Sequence, residues 1–376
     1  MTLARPGTKS APDKEKKRSE QARFFGRVRV RESDLIMFTR QMAAMMRTGI
    51  PITRCLETLA GQVDDPRMRD VIDFIYKRVS EGHMMSSALG QVPRVFTHMY
   101  VSMVRIGEST GALAENLEML GGWMERDYQL MRKVKSALTY PIFVLILATV
   151  LTLGLFYSIL PGFVKIFDEM QVELPLITKI VMLITEAVRN PGAWMVALGV
   201  GAALYFFLRD QAATERGRIR FYRAALLVPV LGQMLRQAAM ARFCSSMNAL
   251  LVVGVDLVPA LRLAANASGS PLLAQDSIPM SNALQEGSLL SEYLEARRDL
   301  YPASVIQMVS AGEEASNLDA MFARLGQFYN EEVNYLIEGF SAVLEPVMLA
   351  GVAIVVGTIV LSIFLPLYGF LNKLGA

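Results

Sequence analysis

The chain repeats itself at one constant offset: position n answers position n + 205, with no gaps. Phe38, Met42, Ala44 and Gly49 return as Phe243, Met247, Ala249 and Gly254. Glu81-Gly82 returns as Glu286-Gly287, Leu89 as Leu294, and Met103-Val104-x-x-Gly107-Glu108 as Met308-Val309-x-x-Gly312-Glu313. Leu120-Gly121 returns as Leu325-Gly326, Pro141 as Pro346, and Leu160-Pro161 as Leu365-Pro366. Chance matches would drift in spacing. The unit is too long for a solenoid repeat and has the size of a domain. One module is therefore present twice, and the function must use both copies.

Each copy ends in an apolar stretch. Ser136 to Val164 contains no charge, and neither does Pro346 to Asn372. Between them Asn190 to Leu208 is a shorter uncharged stretch, opening with Pro191-Gly192. A helix needs about 20 apolar residues to cross a bilayer, so three spans are expected; for the middle one a buried soluble helix is the alternative. These stretches raise the mean hydropathy of the 376-residue chain to +0.34.

Lys and Arg number 23 before the first stretch, 3 between the first and second, 11 between the second and third, and 1 after the third. By the positive-inside rule, the first and third of these regions are cytoplasmic. The repeat points the same way: if both modules share one compartment, an extra span must return the chain. The charges continuing through Arg31 leave no early apolar core for a cleavable signal.

The reading is an all-α integral membrane protein with two repeated cytoplasmic helical-bundle domains and three transmembrane helices. Residues 1–32 form a basic tail with ten Lys/Arg and four Asp/Glu, expected to be disordered and either solvated or touching anionic lipid. The first domain covers 33–138, the first span 139–161, a periplasmic loop 162–190 and the second span 191–209. A cytoplasmic linker at 210–237 leads to the second domain at 238–343, the third span at 344–367 and a periplasmic tail at 368–376. Within the first domain, Ser33-Asp34 is an N-cap signal, Gly49-Ile50-Pro51 a stop and restart, and Asp64-Asp65-Pro66 another start. Met68, Val71, Ile72, Ile75 and Val79 fall on one helical face. Five or six helices per module are expected, the last running from about residue 111 into the first span.

Gly107-Glu108-Ser109-Thr110-Gly111 and Gly312-Glu313-Glu314-Ala315-Ser316 read as equivalent helix–turn–helix corners. Gly107 and Gly312 are suited to end the preceding helix in the left-handed conformation. Gly111 and Ser316 suit the N-cap of the long helix, and Ser316 with Asp319 resembles a capping box. Glu108 and Glu313 then sit near a helix N-terminus, where negative charge is favoured. Their roles stay open between stabilising the corner and presenting an acidic contact to a partner. Pro141 and Pro346 lie inside the long helices at one depth and are expected to bend them.

Residues that would support chemistry are sparse. His83 and His98 are the only histidines and neither has a Cys or carboxylate at ligand spacing. There is no Gly-Lys-Ser/Thr phosphate loop and no Gly-x-Ser-x-Gly elbow. The expectation is no catalytic, cofactor or metal site, no enzyme activity and no nucleic-acid partner. Cys55 and Cys244 are not repeat-equivalent and read as buried small hydrophobes. The 23 methionines, scattered along apolar faces, read as adaptable packing. The apolar stretches carry no charge in their interiors, which argues against an ion or proton path. A transporter built from parallel repeats is the alternative reading.

The motifs resemble those of the polytopic inner-membrane platform proteins of type II secretion systems and type IV pili, the F/PilC family. Gly107-Glu108-Ser109-Thr110-Gly111-Ala112-Leu113 is similar to that family's Gly-Glu-x-x-Gly-x-Leu motif. Thr139-Tyr140-Pro141-Ile142, Pro161-x-Phe163-x-x-Ile166-Phe167 and Leu174-Pro175 follow in the family manner. The second copy matches through Gly312-Glu313, Asn317-Leu318-Asp319, Tyr329, Glu332-Val333, Leu344-Glu345-Pro346, Val356-Gly357 and Leu365-Pro366. Ser316 stands where the second motif usually has Gly, and Asn334 where an acidic residue is common. The resemblance runs from about residue 33 to the C-terminus. It implies a non-enzymatic platform in the cell inner membrane with its N-terminus cytoplasmic. The implied partners are a cytoplasmic secretion or pilus ATPase, pilins or pseudopilins, other inner-membrane assembly proteins, membrane lipid and a second copy in a homodimer.

Overall fold

The computed structural model describes residues 28–169, 175–228 and 231–374. Residues 1–27 of the expected basic tail and residues 375–376 of the expected C-terminal tail lie outside them. Every regular element among the described residues is helical. In chain order these are α1 (Glu32–Arg47), α2 (Ile52–Gln62), α3 (Pro66–Ser80), α4 (Met85–Leu89), α5 (His98–Thr110) and α6 (Leu113–Gly154). A π-helical turn (Leu155–Ile159) leads to α7 (Leu160–Glu169), α8 (Leu176–Arg189), α9 (Pro191–Ala213) and α10 (Glu215–Leu226). Then come α11 (Leu231–Val252), α12 (Leu257–Ala267), α13 (Pro271–Gln285), α14 (Leu290–Ala296), α15 (Ala303–Glu314) and α16 (Leu318–Leu374).

The constant offset of the sequence is an offset of helices. The first residues of α2 to α6 are Ile52, Pro66, Met85, His98 and Leu113. Their repeat equivalents, Leu257, Pro271, Leu290, Ala303 and Leu318, are the first residues of α12 to α16. The punctuation agrees. Gly49 and Gly254 close the first helix of each copy at φ 82° and 85°, and Gly82 and Gly287 follow the third at 86° and 96°, a region where a Cβ is penalised. Pro66 and Pro271 stand at the first helical position, where the missing N–H has no intrahelical partner to lose. The caps before them differ: the Asp65 carboxylate accepts from Arg67 N, and the Ser270 hydroxyl from Leu273 N. At α1 the expected Ser33-Asp34 cap is displaced towards the N-terminus. The helix starts at Glu32, and Arg31, the N-cap, pairs instead with Asp34 at 3.2 Å.

The chain divides into two compact units. One contains residues 1–131 and 235–332, so most of each module lies in it. Its core is one cluster drawn from both copies, including Phe38, Met42 and Leu56 from the first and Phe243, Met247 and Tyr301 from the second. Phe243 meets Phe322 edge-on with ring centroids 6.2 Å apart. Cys55 and Cys244 are both buried and unbridged.

The other unit contains residues 132–234 and 333–376. Among the described residues three helical stretches are long and apolar enough to cross a membrane: Leu113–Phe163, Pro191–Gln211 and Leu318–Pro366. Pro141 lies inside α6, and Pro346 and Pro366 inside α16, with the helix continuing through each. The region read as a loop at 162–190 is largely helical: α7 extends to Glu169, and α8 fills Leu176–Arg189. Phe156, Leu160, Val181 and Ile359 form a small buried cluster that joins the π-helical turn, α7, α8 and α16.

Candidate functional site

Glu108 lies in the last turn of α5, and its carboxylate reaches the start of α4. One oxygen accepts from Met85 N, and the other from Ser86 N at 3.0 Å. The second copy has the same arrangement: Glu313 accepts from Leu290 N at 2.7 Å and from Ser291 N at 3.0 Å. A helix as short as α4, a little over one turn, has no intrahelical acceptor for its first amides. A charged carboxylate that satisfies two of them makes short, charge-assisted bonds and complements the helix dipole. Both oxygens of each glutamate are engaged inside the protein. The sequence places each Glu beside the N-terminus of the following long helix; the helix it actually caps precedes it in the chain, beyond the whole of α5.

The left-handed corner residue is Gly111, not Gly107 as expected. Gly111, the C-cap of α5, takes the left-handed conformation at φ 76°. Its equivalent Ser316 takes it at φ 52°, the single non-glycine residue with positive φ among those described. Ser316 is therefore a left-handed corner residue, with α16 starting at Leu318, and not the N-cap of a capping box. Gly107 and Gly312 are helical and serve close approach. A Cβ on Gly107 would stand 2.8 Å from Leu113 Cα. On Gly312 it would meet Met321 Cγ at 2.9 Å and Leu318 Cα at 3.3 Å. The buried Asn116 amide donates to Met103 O at 3.1 Å and fastens this crossing in the first copy. Gly107, Glu108 and Gly111, like Gly312, Glu313 and Ser316, thus form one corner per copy, binding three successive helices. Pro141 and Pro346 belong to the long helices that leave these corners, not to the corners.

The second feature is the seam between the modules. Arg242 of α11 pairs with Asp127 of α6, Nε to Oδ1 at 2.6 Å and Nη2 to Oδ2 at 3.2 Å. Burial pushes the Asp127 carboxyl above its ordinary range, with Arg242 opposing. Glu32 nearby is raised as well, first by burial and then by the charge of Asp127. A cavity of about 640 Å³ opens beside them, lined by Glu32, Arg94, Trp123 and Asp127 from one module and Arg262 and Asn266 from the other. Motif reading missed this seam, since its two charges are far apart in the chain and neither belongs to a motif.

The third feature exists in one copy only. Asp276 is buried in α13 and accepts from Tyr293 Oη at 3.1 Å, from Tyr301 Oη at 3.0 Å and from the Arg297 guanidinium. Their equivalents in the first copy, Val71 for Asp276, Ala88 for Tyr293, Phe96 for Tyr301 and Val92 for Arg297, are all buried and apolar. No group of three or more His, Cys, Asp or Glu suited to a metal occurs among the described residues.

A duplicated helical module, each copy closed by a carboxylate-capped corner and continuing into an apolar helix long enough to cross a membrane, defines a class of two-module, all-helical protein. Two segments, residues 38–161 and 243–366, match the family model described as type II secretion system (T2SS), protein F. The second segment begins and ends at the repeat equivalents of the first. The chain belongs to this family. It is similar to the type IV pilus assembly protein PilC of Myxococcus xanthus, 32% identical over 90% of this chain and 81% of the relative. The PilC of Thermus thermophilus is 31% identical over 91% and 83%. The type II secretion system protein F of Pseudomonas aeruginosa is 29% identical over 91% and 83%.

Proposed function

We propose that the chain is a non-enzymatic platform of a type IV pilus or type II secretion machine in the cell inner membrane. In this reading its two modules face the cytoplasm and meet the assembly ATPase, and its apolar helices meet pilin or pseudopilin subunits and other inner-membrane assembly proteins. The observation that carries the proposal is the repeat itself: two copies of one helical module, each with its last helix running into a long apolar stretch. A stiff helix shared between a module and a span transmits a displacement of one to the other. Pro141 and Pro346, at equivalent positions, are the bends about which that helix tilts. Glu108 and Glu313 keep the corners rigid at the other end of the same helices. A homodimer would present four modules to a ring-shaped motor. The proposed topology has the N-terminus cytoplasmic and the C-terminus outside, with spans near 139–161, 191–209 and 344–367.

Affinity capture of the full chain from gently solubilised membranes, after crosslinking in cells, tests the partner set. Recovery of a secretion-type ATPase and a pilin-like subunit is expected. Their absence, together with solute flux by the purified protein in liposomes, would replace the platform by the transporter. Reporter fusions after residues 175 and 376 should read outside and one after residue 225 inside; an outside signal at 225 overturns the topology.

A further inference from the structure

We propose that α8 is an interfacial membrane helix, held by one face to two spans while a second face is immersed in lipid acyl chains. The proposal rests on the membrane-spanning reading above. Around α8, at about 100° per residue, the side chains fall into three sectors. Thr178, Val181, Thr185 and Val188 share one. Val181 is buried against Phe156, Leu160 and Ile359, with Val188 packed on the same cluster. Thr178 donates to the carbonyl of Ser362 at 3.0 Å in a buried bond. A second sector holds Leu176, Ile180, Leu183 and Ile184, all exposed, Leu183 to 71%. The third holds Lys179, Glu186 and Arg189, also exposed. A water-borne loop helix needs only an apolar inner face and a polar outer one. A separate exposed apolar sector beside a charged one is the pattern of a helix lying at the boundary of headgroups and acyl chains.

The contacts set the depth. Phe156 and Leu160 come between one and three helical turns before Lys165, the first charge after the first apolar run. Ile359 and Ser362 come three to four turns before Lys373. At about 1.5 Å per residue these contacts lie about 2–12 Å inside the span ends at 161 and 367, the depth range of an interfacial helix. The lipid-facing surfaces of those spans continue onto α8, since Tyr157, Val360 and Leu361 beside the contact are exposed and apolar in body. Trp194, at the start of α9, donates its indole N–H to Val188 O at 2.7 Å and marks the end of α8 with a side chain that favours the interface. The three charged groups lie to one side, from which their stems reach the headgroups. The occupant of the second sector is therefore the bilayer, and the segment read as a periplasmic loop is part of the membrane domain.

The test uses the full chain with Cys55→Ala and Cys244→Ala, reconstituted in nanodiscs and labelled with an environment-sensitive fluorophore at one introduced cysteine. The Leu183→Cys label should be blue-shifted, quenched by lipids carrying a shallow doxyl group and shielded from aqueous iodide. The Glu186→Cys label should show the reverse order. An Ile146→Cys label, within the first apolar run, should respond to deep doxyl groups and reports on membrane insertion itself. Iodide quenching at 183 equal to that at 186, with 146 still lipid-quenched, overturns the proposal and leaves the span standing. Protection at 183 from both quenchers also overturns it, since protein would then cover that face. Iodide quenching at 146 instead removes the membrane reading beneath it.

Discussion

Asp127 and Arg242 meet at 2.6 Å where the first module touches the second, and their repeat equivalents cannot do the same. Those equivalents are Glu332 and Met37, and Met37 is 60% exposed. The duplicated sequence has thus diverged at the seam, and one half of a symmetric pair of ion contacts is absent. The two modules are alike in fold but not interchangeable in position.

Asp127→Asn should lower the thermal midpoint of the purified protein, because it leaves a partly buried guanidinium without its carboxylate; a loss of about 1–3 kcal/mol is expected. The pH response has a definite sign. Burial raises the Asp127 pKa in the folded state, so the folded chain holds that proton more tightly than the unfolded one. The contribution of this group is most favourable below the ordinary aspartate range. It declines as pH rises through the folded pKa, and is flat above. Melting wild type and variant across pH should show the gap between them narrowing over that window. A gap independent of pH would refute the burial argument.

Glu108→Ala and Glu313→Ala should each cost about 0.5–2 kcal/mol, the usual loss for removing a helix cap. The two losses should be similar, because the geometry is the same in both copies. Glu→Gln keeps one acceptor but brings an N–H₂ against a backbone N–H, and should be intermediate. Protease susceptibility around α4 and α14 should rise with membrane abundance little changed. Wild-type stability combined with lost ATPase capture would instead identify an exposed partner contact.

The corners show what the sequence discloses and what it withholds. The constant offset made the shared fold and the existence of both corners legible, and Pro51 and Pro66 marked the starts of α2 and α3. It did not show which glycine does what, because Gly107 and Gly111 both suit a helix end. The second copy held a clue. Gly312 is retained while Gly111 becomes Ser316, as expected if the first position has no room for a Cβ and the second needs only a left-handed backbone. The targets of Glu108 and Glu313 were hidden because the amides they cap, at the starts of α4 and α14, lie a full helix upstream, beyond any local pattern. By contrast α8 was read as a loop, although Ile177, Ile180, Val181, Ile184 and Val188 recur at helical spacing; its three charged residues and its place between two spans disguised it.

Ser316→Gly should stabilise the chain. A non-glycine residue held at φ 52° carries a steric cost of roughly 1–2 kcal/mol, part of it returned as unfolded-state entropy when Gly is introduced. A net gain of about 0.5–1 kcal/mol is expected on that basis, read as a raised melting midpoint. Gly107→Ala should do the opposite and be the more damaging of the two helical glycine substitutions. Its Cβ would press on the Leu113 backbone at 2.8 Å, whereas at Gly312 the nearest atom is the flexible Met321 side chain. Equal losses at 107 and 312 would contradict the close-approach account.

The buried cluster around Asp276 allows a prediction in which the repeat supplies its own control. Asp276→Val alone removes the acceptor from Tyr293, Tyr301 and Arg297 at once. Tyr301 is almost fully buried and has no water to turn to. Burial, with the Asp276 charge beside it, also holds that phenol above its ordinary pKa. Breaking a buried charge pair from one side costs about 3–5 kcal/mol. The partly exposed Arg297, which also pairs with Asp299 at 3.2 Å, should hold the loss near the lower end. Replacing the whole set by its equivalents from the first copy, Asp276→Val, Tyr293→Ala, Arg297→Val and Tyr301→Phe, should recover most of that loss. The first module already packs those four side chains in the same helical frame. Urea unfolding of wild type, the single variant and the quadruple variant decides it. If the quadruple variant is less stable than Asp276→Val, the polar cluster is required by its surroundings in the second module, and the two cores are not exchangeable at these positions.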